Sequence, residues 1–308
     1  MSKYSLPGSS PEVETLPPVT EAAAATAHDD GDARALGEII RETRNLTAEQ
    51  VEKILAHQQA HGLRFGEAAV ALGYVDADDV LAALAQQFHY PYVAPENRQR
   101  NPELVALNAP FSAQAEAFRR LRSQVVMRTS AAGDVRGVIA VISPNRKDGR
   151  SFMAANLAVV LAQLGGRTLL LDANLREPRL HAMFGLQGGS GLSRVLLGRT
   201  EEGAIQPVQG VPSLFVLPAG PLPPNPAEML ERPAFALLMR ELAGKFDHVI
   251  VDTAAAETGA DAAVVASRCG SALIVARKNR ARIDALQALT GNLSGAPVEL
   301  LGVVTNDH

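Results

Sequence analysis

The chain has 308 residues, a net charge of −4 and one cysteine. That length allows two domains with their own cores; the near-neutral balance argues against nucleic-acid binding, and Cys269 alone excludes an internal disulfide and fits a reducing cytoplasm. No apolar run reaches the ~18 residues that span a bilayer, and residues 1–10 lack the apolar core of a signal peptide, so any membrane contact is expected to go through a partner.

Residues 1–33 hold six acids, one lysine and few large apolar side chains, a composition expected to stay disordered. Residues 34–93 read as short amphipathic helices that repeat with a period of 29. Leu36-Gly37 aligns with Phe65-Gly66, Ile40 with Ala69, Leu46 with Val75, Val51 with Val80, Leu55 with Leu84 and Gln58 with Gln87. Each copy reads as a short helix, a turn and a second helix capped by Thr47 or Asp76, with the apolar matches forming one small core. Residues 94–112 carry Pro95, Asn97, Asn101, Pro102 and Pro110, a linker composition. From 113 to 308, strands and helices alternate. The apolar runs at 138–142, 168–171, 214–217, 248–251, 272–276 and 300–305 are expected to form a parallel sheet covered by helices on both faces.

The chemistry concentrates at Val141-Ile-Ser-Pro-Asn-Arg-Lys-Asp-Gly-Arg-Ser-Phe152. An apolar strand, a polar turn, Gly149-Arg150-Ser151 and then a helical pattern give the order of a phosphate-binding loop. A helix N-terminus offers unpaired N–H groups to an anion, and Ser151 stands where a hydroxyl would ligate Mg²⁺. The usual lysine is Arg150, and Pro144 replaces the usual first glycine. Asp172 and Asp252 each end an apolar run, and ligands of open α/β sheets sit at strand carboxyl ends. Ser151, Asp172 and Asp252 are therefore expected to converge on one Mg²⁺-bound phosphate. Ser143, Asn145, Lys147, Asp148, Gly149, Arg150, Ser151 and Phe152 would line the phosphate site, and Asn306 would meet an adenine edge.

The second repeat, Arg64-Phe65-Gly66 through Gly73 to Gln87, resembles the N-terminal domain of type II secretion and pilus ATPases (the MshE type). That resemblance implies possible cyclic di-GMP binding; the first copy departs from the pattern at Ala35 and Arg44. The segments around Gly149, Asp172 and Asp252 look like the Walker A, A′ and B motifs of bacterial tyrosine kinases of the polysaccharide-export type. Pro-Pro-Asn225-Pro226-Ala-Glu228-Met-Leu230 and Glu116-Ala-Phe-Arg119-Arg-Leu-Arg122 match two further stretches of that family, the latter joining subunits into a homo-oligomer. From about residue 36 onward the chain is similar to the chain length determinant tyrosine kinases of the EpsG subfamily, in which a Gly-Arg-Ser loop is usual.

The resemblance implies a P-loop NTPase-like α/β fold behind a small all-α repeat domain. It implies an ATP- and Mg²⁺-dependent tyrosine kinase controlling exopolysaccharide polymerisation, chain length and export, cytoplasmic and held near the inner membrane by a separately encoded chain-length co-polymerase. Catalysis would rest on Asp172, Arg150 and Asn174, with Ser151, Asp172 and Asp252 on the metal. Asn174 stands where the family has a second acid. An amide cannot accept a proton near neutral pH, so Asn174→Asp is expected to raise turnover. The tyrosines, Tyr4, Tyr74, Tyr90 and Tyr92, all lie in the first third, and the usual tyrosine tail is absent, so tail autophosphorylation is not expected. The alternative reading is a binding switch, responsive to nucleotide and to cyclic di-GMP, with little or no phosphotransfer.

Overall fold

The computed structural model describes residues 29–87, 101–131, 137–199 and 203–307. Within them the chain forms two compact units, 1–77 and 78–308. The boundary lies inside the second repeat copy. Tyr4, Tyr90 and Tyr92 fall outside the described residues.

The first unit holds α1 (Asp29–Arg44), α2 (Ala48–His61) and α3 (Phe65–Ala71), with α4 (Ala77–Gln87) starting at its last residue. Residues 29–33 therefore belong to a helix, which corrects their assignment to a disordered tail; the rest of that tail, residues 1–28, is not described. Thr47 caps α2 in a reciprocal box with Gln50. Gly37 packs beside the Phe65 ring, where a Cβ would make an ordinary contact at 3.5 Å. Ile40, Leu46, Phe65 and Val75 are buried, as the repeat pattern implies, but Leu55 is 44% exposed and Ile54, which the pattern does not include, takes the inward position.

The second unit is built on a seven-stranded sheet, β1 (Gly137–Ile142), β2 (Thr168–Asp172), β3 (Gln206–Pro207), β4 (Leu214–Leu217), β5 (His248–Asp252), β6 (Gly270–Arg277) and β7 (Glu299–Asn306). The strand order is β3-β4-β2-β5-β1-β6-β7, parallel throughout except for β3. All six expected strands form. β3, two residues long and antiparallel, has no periodicity by which to read it.

Each face of the sheet is covered. One carries α5 (Val105–Asn108), α6 (Ala113–Ala131) and α7 (Arg150–Ala162); the other carries α10 (Pro226–Glu231), α11 (Pro233–Lys245), α12 (Asp261–Cys269) and α13 (Ile283–Leu293). Two short helices, α8 (Leu180–Met183) and α9 (Leu192–Leu196), follow β2. In α7 every residue except Phe152 is buried, the pattern of a helix enclosed on all sides. Residues 101–108 are not a tether. Leu104, Ala106 and Leu107 are buried in the same core as α7, so the linker reading of 94–112 fails over its described part. Asn101 and Asn108 shape turns around three buried apolar residues.

Candidate active site

Parallel strands bring their carboxyl ends to one edge, so Ser143 after β1, Asp172, Asp252, Arg277 and Asn306 all emerge there. The register sets Asp172 beside Asp252 and Arg277 beside Asn306. A cavity of about 850 Å³ opens at this edge. Of the residues singled out in the sequence, Lys147, Gly149, Arg150, Ser151, Phe152, Asn174 and Asn306 line it. Pro102, Glu103, Val105, Gln114, Arg146, Glu177, Arg179 and Arg277 line it too, and sequence reasoning missed them as site residues. Five of these side chains are cationic and two are acidic, which suits a polyanion.

The phosphate loop is held from within. Gly149 caps α7 at φ 97°, a conformation L side chains rarely adopt, and a Cβ there would collide with Asn306 Nδ2. That amide nitrogen donates to Asp148 O at 3.0 Å, so Asn306 pins the loop. Ser143 and Asp148 are buried and serve the loop's own structure. Ser143 Oγ donates to Asn145 O at 2.8 Å, and the Asn145 N–H donates to Asp148 Oδ2 at 2.9 Å. Neither Ser143, Asn145 nor Asp148 lines the cavity, a departure from their expected role against a nucleotide. Arg150 is 9% exposed. Its guanidinium donates to Ser143 Oγ at 2.5 Å, Thr253 O at 3.0 Å and Asn145 O at 3.1 Å. Burial lowers its pKa, opposed by the charges of Asp252 and Asp148, and it stays a cation.

Beneath the loop, Ser151 Oγ donates to Asp252 Oδ2 at 2.5 Å, while Asp252 Oδ1 is buried without a partner. A hydroxyl beside an orphaned carboxylate oxygen is a hard oxygen donor set that fits Mg²⁺, which takes few protein ligands when phosphates supply others. Among the described residues no cluster of three or more His, Cys, Asp or Glu could hold a metal, so the fit rests on Ser151 and Asp252. Asp172 differs. Its Oδ1 accepts from the Asn174 N–H at 3.1 Å, and its Oδ2 accepts from Arg179 and Leu180 N–H at 3.2 and 3.1 Å. Both of its oxygens are already engaged, and it is wholly buried.

Burial, and then the neighbouring Asp252, push Asp172 up to about 8. Burial pushes Asp252 up to about 6, restrained by Arg150 and by the Ser151 hydroxyl. Asn174 is a loop staple, its Oδ1 accepting from Glu177 N–H at 3.1 Å and its Nδ2 donating to Glu177 O at 2.8 Å. An aspartate there would set an oxygen against Glu177 O, so the geometry opposes the expected gain from Asn174→Asp.

Three loops meet over the cavity mouth. Arg146 pairs with Glu177 at 3.0 Å, and its N–H donates to Glu257 at 2.6 Å. Arg277 donates to Lys147 O at 3.1 Å. On α6, Arg119 pairs with Glu116 at 2.8 Å and also bonds Pro110 O, while Arg122 donates to Val160 O at 2.8 Å. Within one chain these residues of the expected subunit contact brace α6 against α7 and the turn before it.

The tyrosine-protein kinase YwqD of Bacillus subtilis is 35% identical over 210 residues, covering 68% of this chain and 86% of that one. The chain belongs to the bacterial tyrosine-protein kinases. Another member of the family, tyrosine-protein kinase ptk of Acinetobacter johnsonii, is 30% identical over 68% of this chain, but the match covers only 28% of that longer protein. Among solved structures, the chimerical protein CapA2B2 is 31% identical with a TM-score of 0.62, covering 73% of this chain and 97% of that one. The kinase domain of Escherichia coli tyrosine kinase ETK is 30% identical with a TM-score of 0.61, covering 66% and 79%. No family model matches the chain. Among the described residues no helix is long and apolar enough to cross a membrane.

Proposed function

We propose that the chain transfers the γ-phosphoryl group of ATP to tyrosine and acts in exopolysaccharide assembly and chain-length control. One observation carries the reading: Ser151 and the orphaned Asp252 oxygen lie under a cavity ringed by Arg146, Lys147, Arg150, Arg179 and Arg277. The cations would neutralise the triphosphate, and Ser151 with Asp252 would hold Mg²⁺, which adds charge neutralisation at the transferred phosphate. Asp172 is the candidate base. A carboxylate raised toward 8 is better matched to a phenol than an ordinary one. Because it lies beneath the cavity wall, proton transfer runs through a water molecule or needs the loop of residues 174–180 to lift. The test is transfer of labelled γ-phosphate to a tyrosine polymer with Mg²⁺; binding of ATP without any transfer sinks the kinase reading.

The nucleotide-switch alternative draws support from Asn174, whose amide is committed to Glu177, and from the enclosed Asp172. The finer placement within the EpsG subfamily, with a separately encoded membrane co-polymerase as partner and α6 as a contact in a homo-oligomer, belongs to the same proposal. Light scattering with and without ATP tests the assembly, and an unchanged mass would count against it. Cyclic di-GMP binding by the repeats rests on exposed Arg64 beside buried Phe65-Gly66. Calorimetric titration of the full chain decides it, and absence of heat at high micromolar ligand removes it.

A further inference from the structure

The cavity has two wings. β1 lies between β6 and β7 on one side and β5 and β2 on the other, so Arg277 and Asn306 flank the phosphate loop on one wing and Asn174, Glu177 and Arg179 on the other. The second wing is closed by residues 102–105. This wall is fixed by Asn156 of α7, which is wholly buried. Its Oδ1 accepts from Ala106 N–H at 2.9 Å, and its Nδ2 donates to Glu103 O at 2.8 Å and Phe152 O at 2.9 Å. A buried amide in a helix interior is unfavourable unless every group is satisfied; one of these three bonds goes to the wall at Glu103 and one to Ala106, the residue that follows it. Glu103 also bridges to Arg179 at 2.7 Å, tying the wall to the loop after β2. Sequence composition marks this segment as a tether, yet Leu104 within it and Ala106 and Leu107 just after it are buried in the core.

We infer that this wing is the acceptor subsite, and that Pro102, Val105 and Phe152 seat the ring of an acceptor tyrosine while Glu103, Arg179 and Gln114 meet its flanking residues. The inference rests on the phosphotransfer reading. An apolar strip next to a ring of phosphate-binding cations suits a flat ring with one polar tip. The tip points toward Ser151, where the γ-phosphate would lie. The phenolic oxygen forms the new bond to the γ-phosphorus, the bond to the β–γ bridging oxygen breaks, and ADP leaves with that electron pair. The phenol's proton leaves through a water molecule toward the Asp172 carboxylate, which lies beneath the wall. Asn156 is a positioning residue, acting through the wall.

The test uses the full chain, ATP with Mg²⁺, and a random glutamate–tyrosine copolymer as acceptor. Val105→Ala removes two partly buried carbons, which sets an expected rise in acceptor KM of roughly fivefold, with KM for ATP within twofold of wild type. Val105→Phe fills the wing and raises acceptor KM by about tenfold or more. The affinity of a fluorescent ADP analogue, unchanged in both variants, shows that the phosphate loop is intact. A rise in KM for ATP with acceptor KM unchanged would assign the wing to the nucleobase and overturn the inference. Equal changes in both constants, or none, overturn it too. Failure of the wild type to phosphorylate the copolymer while binding ATP defeats the phosphotransfer reading itself, a result seen before any variant is compared.

Discussion

Arg150 binds three acceptors of its own chain, Ser143 Oγ, Asn145 O and Thr253 O, so it holds the loop together from below the phosphate site. Arg150→Ala strands those acceptors and leaves Asp252 without its buried countercharge. A buried acceptor left without its donor costs about 1–3 kcal/mol, and urea unfolding of the metal-free chain should show a loss of at least that size. A loss below about 1 kcal/mol would mean that the guanidinium is not structural. Lys147 sits at φ 63°, a left-handed conformation costing a side chain roughly 1 kcal/mol. Lys147→Gly should therefore raise stability by about that amount while weakening ATP binding through loss of a cation. If calorimetry shows unchanged affinity, Lys147 does not face the phosphates. At Asn174 the donor Nδ2 matters as much as the acceptor. Asn174→Asp should lower stability by about 1–3 kcal/mol, the cost of a buried unmade bond, and a more stable variant would contradict the staple.

Among the elements, α7 joins the site to the core. Its N-terminus carries Gly149 to Ser151, and its middle holds the 102–105 wall through Asn156. The stretch from Pro218 to Gly220 positions a second element in the same way. Leu192 and Ser193 N–H donate to Pro218 O and Ala219 O at 2.8 and 2.9 Å, starting α9 against the chain after β4. A Cβ on Gly191 would lie 2.2 Å from Pro218 O, a backbone atom with no freedom to move. Gly191→Ala should destabilise by about 3 kcal/mol or more, read as a lower urea midpoint, and a midpoint equal to wild type would show that these two segments can part cheaply.

At the scale of the molecule, Asp172 and Asp252 make stability depend on pH. Both have folded-state values above the ordinary carboxylate value, about 8 and about 6, so the native state holds protons that the unfolded state has released. Stability of the metal-free chain should therefore fall as pH rises from about 4 to about 8. Asp252→Asn removes the like charge and should flatten that slope, and Mg²⁺ with ADP should stabilise more at pH 8 than at pH 5.5. Thermal unfolding across that range measures both, and a slope of opposite sign would refute the burial of the acids.

Residue order by itself determined the parallel sheet, the six main strands, the phosphate loop and the two acids, because apolar runs and strand-terminal polar residues are local signals that parallel pairing turns into one edge. Only tertiary structure decided which residues face the cavity and which hold the loop. Arg146 meets Glu257 across 111 positions, Arg277 meets Lys147 across 130, and Ala106 meets Asn156 across 50. No periodicity encodes such pairs. The same reason hid the wall at 102–105, whose proline and asparagine content resembles a linker until Leu104 and Leu107 find a core to enter.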